Sequence, residues 1–472
     1  MKFRQHNSSV KSISNQMREF FRLKKKVRIY HGSTNSTRAQ KFKEGEIIDV
    51  SQLNRVIDIN TKDQYALVEP NVAMDALVDA TLKYNLIPPV VMEFPGITVG
   101  GGIQGGAVES SSFRQGAFHE TCEEYEIILG NGDVISVSPD NARDLFYGTA
   151  CSYGSLGIIT RIKLRLHPAK KFVHLGYYRV ESFEEAVELV DRKSKEKVDF
   201  IDGIMFRKNL GVIMVGELTN GGRLPIKTFH RARDEWFYLH AQRVAQVYHK
   251  WEELIPLRDY LFRYDRGAFW VGQYLFRRFR IPFNHVTRVL LNWMTDTRTL
   301  YGGLHAGNIS QYFILQDINL LKDRVKPFLD WTDKKFHIYP LWLCPLKPGQ
   351  DDKLCPACLD TDLVINVGIW GKIPPNSNFL KANRELEEAA RNLGGRKMLY
   401  AHAYYSKADF WRIYDSDWYQ SLRSRYNAAQ VFPDLYHKVH VSEKYKASIS
   451  NGLFNFLKYS AKMPIIRNSK TH

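Results

Sequence analysis

"TVGGGIQGGAVESSS", residues 98–112, decides how this chain is read. Gly100, Gly102 and Gly105 meet the G-x-G-x-x-G spacing of a dinucleotide-binding turn. That turn belongs in the first strand-to-helix crossover of a parallel sheet, where the helix N-terminus receives a pyrophosphate. Here the chain before residue 98 already reads as mixed α/β structure, and "GAVESSSFRQGAF" after Gly105 is polar, glycine-broken and without an amphipathic period. The match to an NAD fingerprint is therefore expected to be accidental. Glycines have a second use: they let backbone approach a ligand closely, and successive N–H groups can nest phosphate oxygens. "HGSTNSTR", residues 31–38, offers the same chemistry through Gly32, the hydroxyls of Ser33, Thr34 and Ser36, and the Asn35 amide.

Working outward, 472 residues with 44% apolar content suffice for two domains with their own cores. The excess of 67 Lys and Arg over 50 Asp and Glu, a formal charge of +17, favours an anionic partner such as nucleic acid or an acidic lipid surface. Five cysteines, an odd number thinly spread, do not make a disulfide framework and point to a reducing compartment. The one close pair, "CPAC" at Cys355 and Cys358, lacks a second pair or spaced histidines, so it reads as a loop with free thiols, and no metal is expected. No run approaches the roughly 20 apolar residues of a spanning helix. "MKFRQHNSSVKSISNQMREFFRLKKK" has no apolar signal region and reads as an exposed basic helix.

The pattern divides the chain into a basic N-terminal helix (1–26), an α/β domain (27–168), a second domain (169–440) and a basic tail (441–472). In the first domain "VRIY", "EIIDV", "RVIDI" and "YALVEP" are strands. Asn71 is placed to cap a helix whose Met74, Leu77, Val78, Thr81 and Leu82 repeat on one face. Asn131 and Gly132 between two β-rich runs predict a hairpin with a type I′ turn. In the second domain "FVHLGYYRV", "VDFIDGIMF", "GVIMVGEL", "FHIYPLWLCP", "LVINVGIW" and "MLYAHAYY" predict an antiparallel sheet backed by helices. A block at 236–298 interleaves aromatic residues with Arg and Lys.

The order of "HGSTNSTR", "VEPNVAMDAL", "TVGGGIQGGAVESSS", "ILGNGDVI" and "DLFYGTACSYGSLGIIT" resembles the FAD-binding domain of the vanillyl-alcohol oxidase and p-cresol methylhydroxylase superfamily. The resemblance implies an α+β fold, with a two-subdomain FAD-binding domain and a cap domain built on an antiparallel sheet. It implies that the first loop holds the pyrophosphate, that Thr98, Gly100 and Gly101 lie along it or the flavin, and that Gly157, Ile158 and Ile159 line the dinucleotide. "GAVESSS", "LIPLRDYLFRYDRGAFW", "FHIYPLWLCP", "MLYAHAYYSKADFW" and "DSDWYQSLRSRY" narrow the likeness to the Δ24-sterol reductases, also called 24-dehydrocholesterol reductases. This implies reduction of the C24–C25 side-chain double bond of a sterol or similar isoprenoid lipid, with FAD as cofactor and NADPH as reductant. Flavin oxidases of the superfamily often tether FAD through a first-loop histidine. That position falls on Thr34 here, with His31 three residues early, so non-covalent FAD is expected. Eukaryotic reductases carry an N-terminal membrane segment with no counterpart in this sequence, so peripheral attachment is expected.

Saturating an isolated C=C needs a hydride and a proton from a positioned acid. If "LYAHAYY" is a strand, alternation puts Tyr400, His402 and Tyr404 on one face as candidate acids. Glu109, with Ser110, Ser111 and Ser112, is a candidate to bind ribityl hydroxyls or to organise the loop. The aromatic and basic block lacks any nucleic-acid motif; it reads either as cap-domain core or, preferably, as a peripheral surface for an anionic membrane. Two other functions fit these residues: an FAD oxidase of a sugar, lactone or alcohol, and a redox-inactive lipid-binding protein.

Overall fold

The computed structural model describes residues 1–32, 42–307, 313–349, 351, 353–374, 377–401 and 403–441. The first strands are β1 (Arg28–Tyr30) and β2 (Ile47–Asp49), which pair in parallel. β3 (Val56–Asn60), β4 (Tyr65–Val68), β6 (Cys122–Ile128), β7 (Val134–Val137) and β8 (Ile158–Arg165) form a five-stranded sheet in the order β3-β4-β8-β6-β7. Its neighbours all run antiparallel, so the parallel crossover that a Rossmann turn requires is not part of this sheet. Short β5 (Leu86–Ile87) and β9 (His167–Pro168) close the first half by pairing with each other.

The second half is built on an eight-stranded antiparallel sheet. Its members are β10 (Phe172–Val180), β11 (Phe200–Arg207), β12 (Leu210–Thr219), β13 (Lys250–Pro256), β14 (Phe313–Leu321), β15 (Leu341–Leu346), β16 (Val364–Lys372) and β17 (Arg396–Lys397), in the order β13-β10-β12-β11-β15-β16-β14-β17. Alternation gives this sheet two working faces. Ile314, Ile318, Leu320, Ile365, Val367 and Ile369 face a core shared with the helices Phe183–Ser194, Lys322–Phe336 and Phe379–Asn392. Leu315, Asp317, Trp342, Asn366 and Trp370 face the opposite way, into a cavity. The expected α+β class is what forms.

Several local expectations change. The N-terminal helix, Lys2–Arg22, is not simply exposed: His6, Val10, Ile13, Ser14 and Met17 are buried. His6 Nδ1 and Nε2 each lie 2.9 Å from a carboxylate, of Glu69 and Glu126. Burial opposes the charge on His6, but the hydrogen bonds to Glu126 and Glu69 outweigh it and raise its pKa. The helix is amphipathic, and its apolar face docks on the first sheet.

Asn71 does not cap the following helix. Met74–Leu82 starts after Ala73, because the Asn71 side-chain amide is drawn to the Val50 carbonyl. The β6–β7 hairpin forms with a different turn. Gly132 has φ +87° while Asn131 keeps an ordinary φ, and Gly132 N–H donates to Leu129 O at 3.0 Å. This is a type I turn with its glycine in the left-handed position. The helix Lys2–Arg22 lies over that glycine, where an added Cβ would come within 2.8 Å of Ser14 O.

The described residues of "MLYAHAYY", 398–401 and 403–405, are not a strand. β17 ends at Lys397; the backbone of Met398 still donates to Asp317 O at the edge of the sheet, and Leu399 and Tyr400 then turn. The 236–298 block is mostly core: Trp236, Phe237, Tyr238, Tyr260, Tyr264 and Trp270 are all buried. Its exposed large apolar groups are Val247 and Tyr248, at the end of the helix Phe237–Val247, and Val286, Leu290 and Trp293, the last three at 63%, 69% and 43% exposure. The same segment carries exposed Arg277, Arg278 and Arg280.

Candidate functional site

A cavity of about 570 Å³ runs between the two halves. The glycine stretch forms part of its wall, as a short helix and not as the open loop expected from sequence. Thr98 caps Val99–Gly105, its Oγ1 accepting from Gly101 N–H at 3.1 Å, and Thr98, Gly100 and Gly101 line the cavity. A Cβ on Gly100 would meet Pro70 Cβ at 2.7 Å, so glycine is needed there for helix and loop to touch. Gly101 has only Thr98 Oγ1 within reach of an added Cβ; anything larger would project into the cavity. Gly157, Ile158 and Ile159 line it too. At Gly157 a Cβ would lie 2.6 Å from the Ile127 side chain.

Gly32, with φ +79°, ends the described part of the first loop; Ser33, Thr34, Asn35 and Ser36 lie outside the described residues. Glu109, Ser110, Ser111 and Ser112 are buried but do not line the cavity. They tie the loop to its neighbours. Ser110 Oγ bonds Glu109 and lies 3.1 Å from Tyr260 Oη; Ser111 Oγ donates to Pro89 O, and Ile201 N–H donates to Ser110 O. A buried carboxylate takes the donors nearest to it, and for Glu109 these are its own loop. Burial pushes the Glu109 carboxyl pKa up, against the pull of Arg263.

One part of the cavity is basic. His31, Arg28 and Lys438 line it together with Tyr153 and Gly154. Lys438 arrives from the helix Leu435–Val439, because the chain after β17 returns to pack on the first half. Its ammonium donates to Tyr153 O at 2.7 Å and Gly154 O at 3.0 Å, and among the described residues no carboxylate pairs with it. Burial, then the charges of Arg28 and Arg423, push its pKa down to about 7. Burial and Lys438 likewise lower the pKa of His31, whose buried Nδ1 has no hydrogen-bond partner among the described residues. Clustered positive charge without a counter-ion is costly. A bound pyrophosphate would supply the missing anion, so these residues fit a dinucleotide cofactor.

The other part is largely apolar with two carboxyl groups and a phenol in it. Phe94, Phe269, Leu300, Leu315, Trp342 and Trp370 line it, with Phe269 and Trp370 centroids 4.4 Å apart. Into it project Asp317 and Tyr400, whose hydroxyl donates to Asp317 Oδ2. Burial pushes the Asp317 pKa up to about 7, and Tyr400 lies well above its usual range from burial and from Asp317. Glu93, also on the wall, is pushed up to about 8 by burial and then by Glu109. Gly368 stands opposite Asp317 in the sheet; a Cβ there would meet the Trp370 ring at 2.6 Å and Asp317 Oδ1 at 3.0 Å. The strand pair thus leaves room for a carboxyl against an indole.

Of the three candidate acids, Tyr400 is in the cavity. Tyr404 is not: it is buried behind the wall, edge-on to Phe379 at 6.0 Å. His402 lies outside the described residues. Sequence reading missed Asp317, Glu93 and Lys438. A lone Asp inside the apolar run "FILQDINLL" was the available signal for the first. For Lys438 there was none, since nothing local ties it to Gly154.

Residues 7–138 match a family model described as an FAD binding domain. The chain is 30% identical over 453 residues to the Delta(24)-sterol reductase of Mus musculus, covering 92% of this chain and 86% of that one. It is 29% identical to that of Homo sapiens over the same shares. To that of Arabidopsis thaliana it is 28% identical, over 83% of this chain and 76% of the plant protein.

Proposed function

The chain belongs to the Δ24-sterol reductase family of FAD-dependent oxidoreductases, and from that premise we propose that it reduces the C24–C25 double bond of a sterol or similar isoprenoid lipid with electrons from NADPH. The observation that carries this reading is the Asp317–Tyr400 pair opening on an aromatic chamber. A branched hydrocarbon tail needs an apolar lining, and its reduction needs one acid within that lining.

FAD, when bound, supplies the hydride for one alkene carbon. Arg28, His31 and Lys438 would hold its pyrophosphate, with Thr98, Gly100, Gly101, Gly157, Ile158 and Ile159 against the rest. The other carbon needs a proton. Positive charge is best tolerated at C25, the carbon bearing two methyl groups, so the proton belongs on C24. Asp317 stores it, because a carboxyl with a pKa near 7 is substantially protonated at neutral pH. Tyr400 hands it on: with Asp317 protonated the carboxyl donates to the Tyr400 oxygen, which frees the hydroxyl to give its own proton to C24 and take one from Asp317. Asp317 is refilled from solvent once product has left. The ring faces of Trp370, Phe269 and Trp342 favour the charge developing at C25. Water is kept out by the same rings.

FAD is held non-covalently, since the residue at the tether position is Thr34. The protein works in a reducing compartment, the reading that an odd, thinly spread set of five cysteines favours. Among the described residues no helix is long and apolar enough to cross a membrane. The sterol is taken from a membrane at which the protein docks peripherally, through Val286, Leu290, Trp293 and the arginines of the same segment.

The test is turnover. Purified protein, NADPH and vesicles carrying a 24-ene sterol should yield a sterol two hydrogens heavier, with the ring double bond intact. Oxidation of an added sugar or alcohol with no change in the sterol would favour an oxidase instead.

A further inference from the structure

The fold collects three metal-ligating side chains from distant parts of the sequence. His119 lies in the turn Phe118–Thr121, Cys151 follows the helix Arg143–Thr149, and Cys355 belongs to the second half. Each offers one ligand atom; the three atoms lie within 4.8 Å of one another, and all three residues are buried. Cys355 opens the C-x-x-C pair, which in sequence lacks companions. Folding supplies them.

We propose that His119, Cys151 and Cys355 bind a zinc ion that braces the cavity wall. The donor set, two thiolates and an imidazole, is the one zinc prefers. Zn–S bonds of about 2.3 Å put sulfurs on a tetrahedral ion about 3.8 Å apart, so the observed spacing needs a contraction of at most about 1 Å. Charge favours the site as well. Two thiolates cancel the dication, which leaves a neutral centre suited to burial, and binding releases the thiol protons to solvent.

Two backbone features surround the cluster. Cys151 has φ +57°, a left-handed conformation uncommon for any residue with a Cβ. Gly106, which ends the glycine helix with φ +64°, sits so close that a Cβ there would lie 2.6 Å from Cys151 Sγ and 3.9 Å from Cys355 Sγ. The proposed ion lies behind the C-terminal end of the helix whose Gly100 and Gly101 face the cavity, and it joins the segments carrying His119 and Cys151 to the second half.

The experiment measures metal in the flavin-loaded protein, purified without a histidine tag or chelator and then dialysed against limiting zinc. Elemental analysis should find about one zinc per chain, and the zinc X-ray absorption edge should show two sulfurs near 2.3 Å and a nitrogen near 2.0 Å. Cys355→Ser and His119→Gln should each lower zinc content at least tenfold, whereas Cys344→Ala, at a buried cysteine outside the cluster, should leave it unchanged. Protein that stays free of zinc after dialysis overturns the proposal. So does a shell of oxygen and nitrogen only, or zinc content unaltered by Cys355→Ser. If the variants fail to fold, the absorption spectrum of the native protein decides alone.

Discussion

The hydroxyl of Tyr400 donates to the carboxyl of Asp317, and the pair faces a largely apolar chamber between the two halves of the chain. Asp317 is protonated in the fold below about pH 7, where its unfolded counterpart ionises from about 3.8. Its acid form is therefore present at low pH and lost as pH rises through 7. We predict that the single-turnover rate of sterol reduction falls above pH 7, by up to tenfold per unit, and that Asp317→Asn slows it by ~10²–10⁴-fold. Tyr400→Phe should be slow but keep its flavin. A rate independent of pH from 6 to 9 would remove Asp317 from the proton path. The same raised pKa contributes stability that is fully present below about pH 3.8 and lost as pH rises through 7.

Lys438 gives a linkage of opposite origin. Without an anion its pKa is depressed to about 7, so at pH 8 much of it is neutral. Binding a pyrophosphate restores the charge, which requires uptake of a proton. Titration calorimetry of apoprotein with FAD at pH 8, in buffers of different ionisation enthalpy, should report that uptake. Affinity should fall as pH rises above 7, and Lys438→Met should weaken binding by roughly 100-fold, about 2.7 kcal/mol. Equal heats in all buffers would place Lys438 away from the phosphates.

Gly101→Val should abolish flavin retention while the protein stays folded. The valine side chain meets little protein at that position and fills the cavity instead. Yellow protein with a full complement of flavin would show that the cofactor does not pass along this helix.

Sedimentation with vesicles tests the docking surface. Binding should rise with acidic lipid and weaken in salt. Each arginine contributes about 1 kcal/mol at an anionic leaflet, so neutralising Arg277, Arg278 and Arg280 together should weaken it roughly 100-fold. Trp293→Ala should weaken it on neutral and acidic vesicles alike. Unchanged sedimentation of both variants would leave these residues as ordinary surface.

How much of this was legible in the sequence follows from what each feature depends on. Strand periodicity is local, so β1 to β4 and most of the larger sheet are readable directly from alternation. "LYAHAYY" alternates too, yet Leu399 and Tyr400 turn directly after Met398 makes its bond to the carbonyl of Asp317, which nothing in the alternation foretells. The glycine stretch was legible as a place of close approach, though not as a helix, since its capping by Thr98 competes with poor helix propensity. The aromatic block left core and surface unresolved, because interleaved Arg and Trp look alike whether a ring points inward or outward. The site was least legible: Asp317 opposes Gly368, and Lys438 meets Tyr153, only once distant segments pair.

The most direct test of the central claim is a reductive half-reaction followed without oxygen. The flavin-loaded protein is bleached with NADPH, excess reductant is removed, and desmosterol, a sterol with a C24–C25 double bond, is added in vesicles. The account predicts that the yellow colour returns in proportion to sterol added and that one saturated side chain forms per flavin. It predicts no recovery with the side-chain-saturated analogue, cholesterol. Flavin that NADPH cannot bleach, or that stays bleached with desmosterol and recovers only when air is admitted, would contradict it.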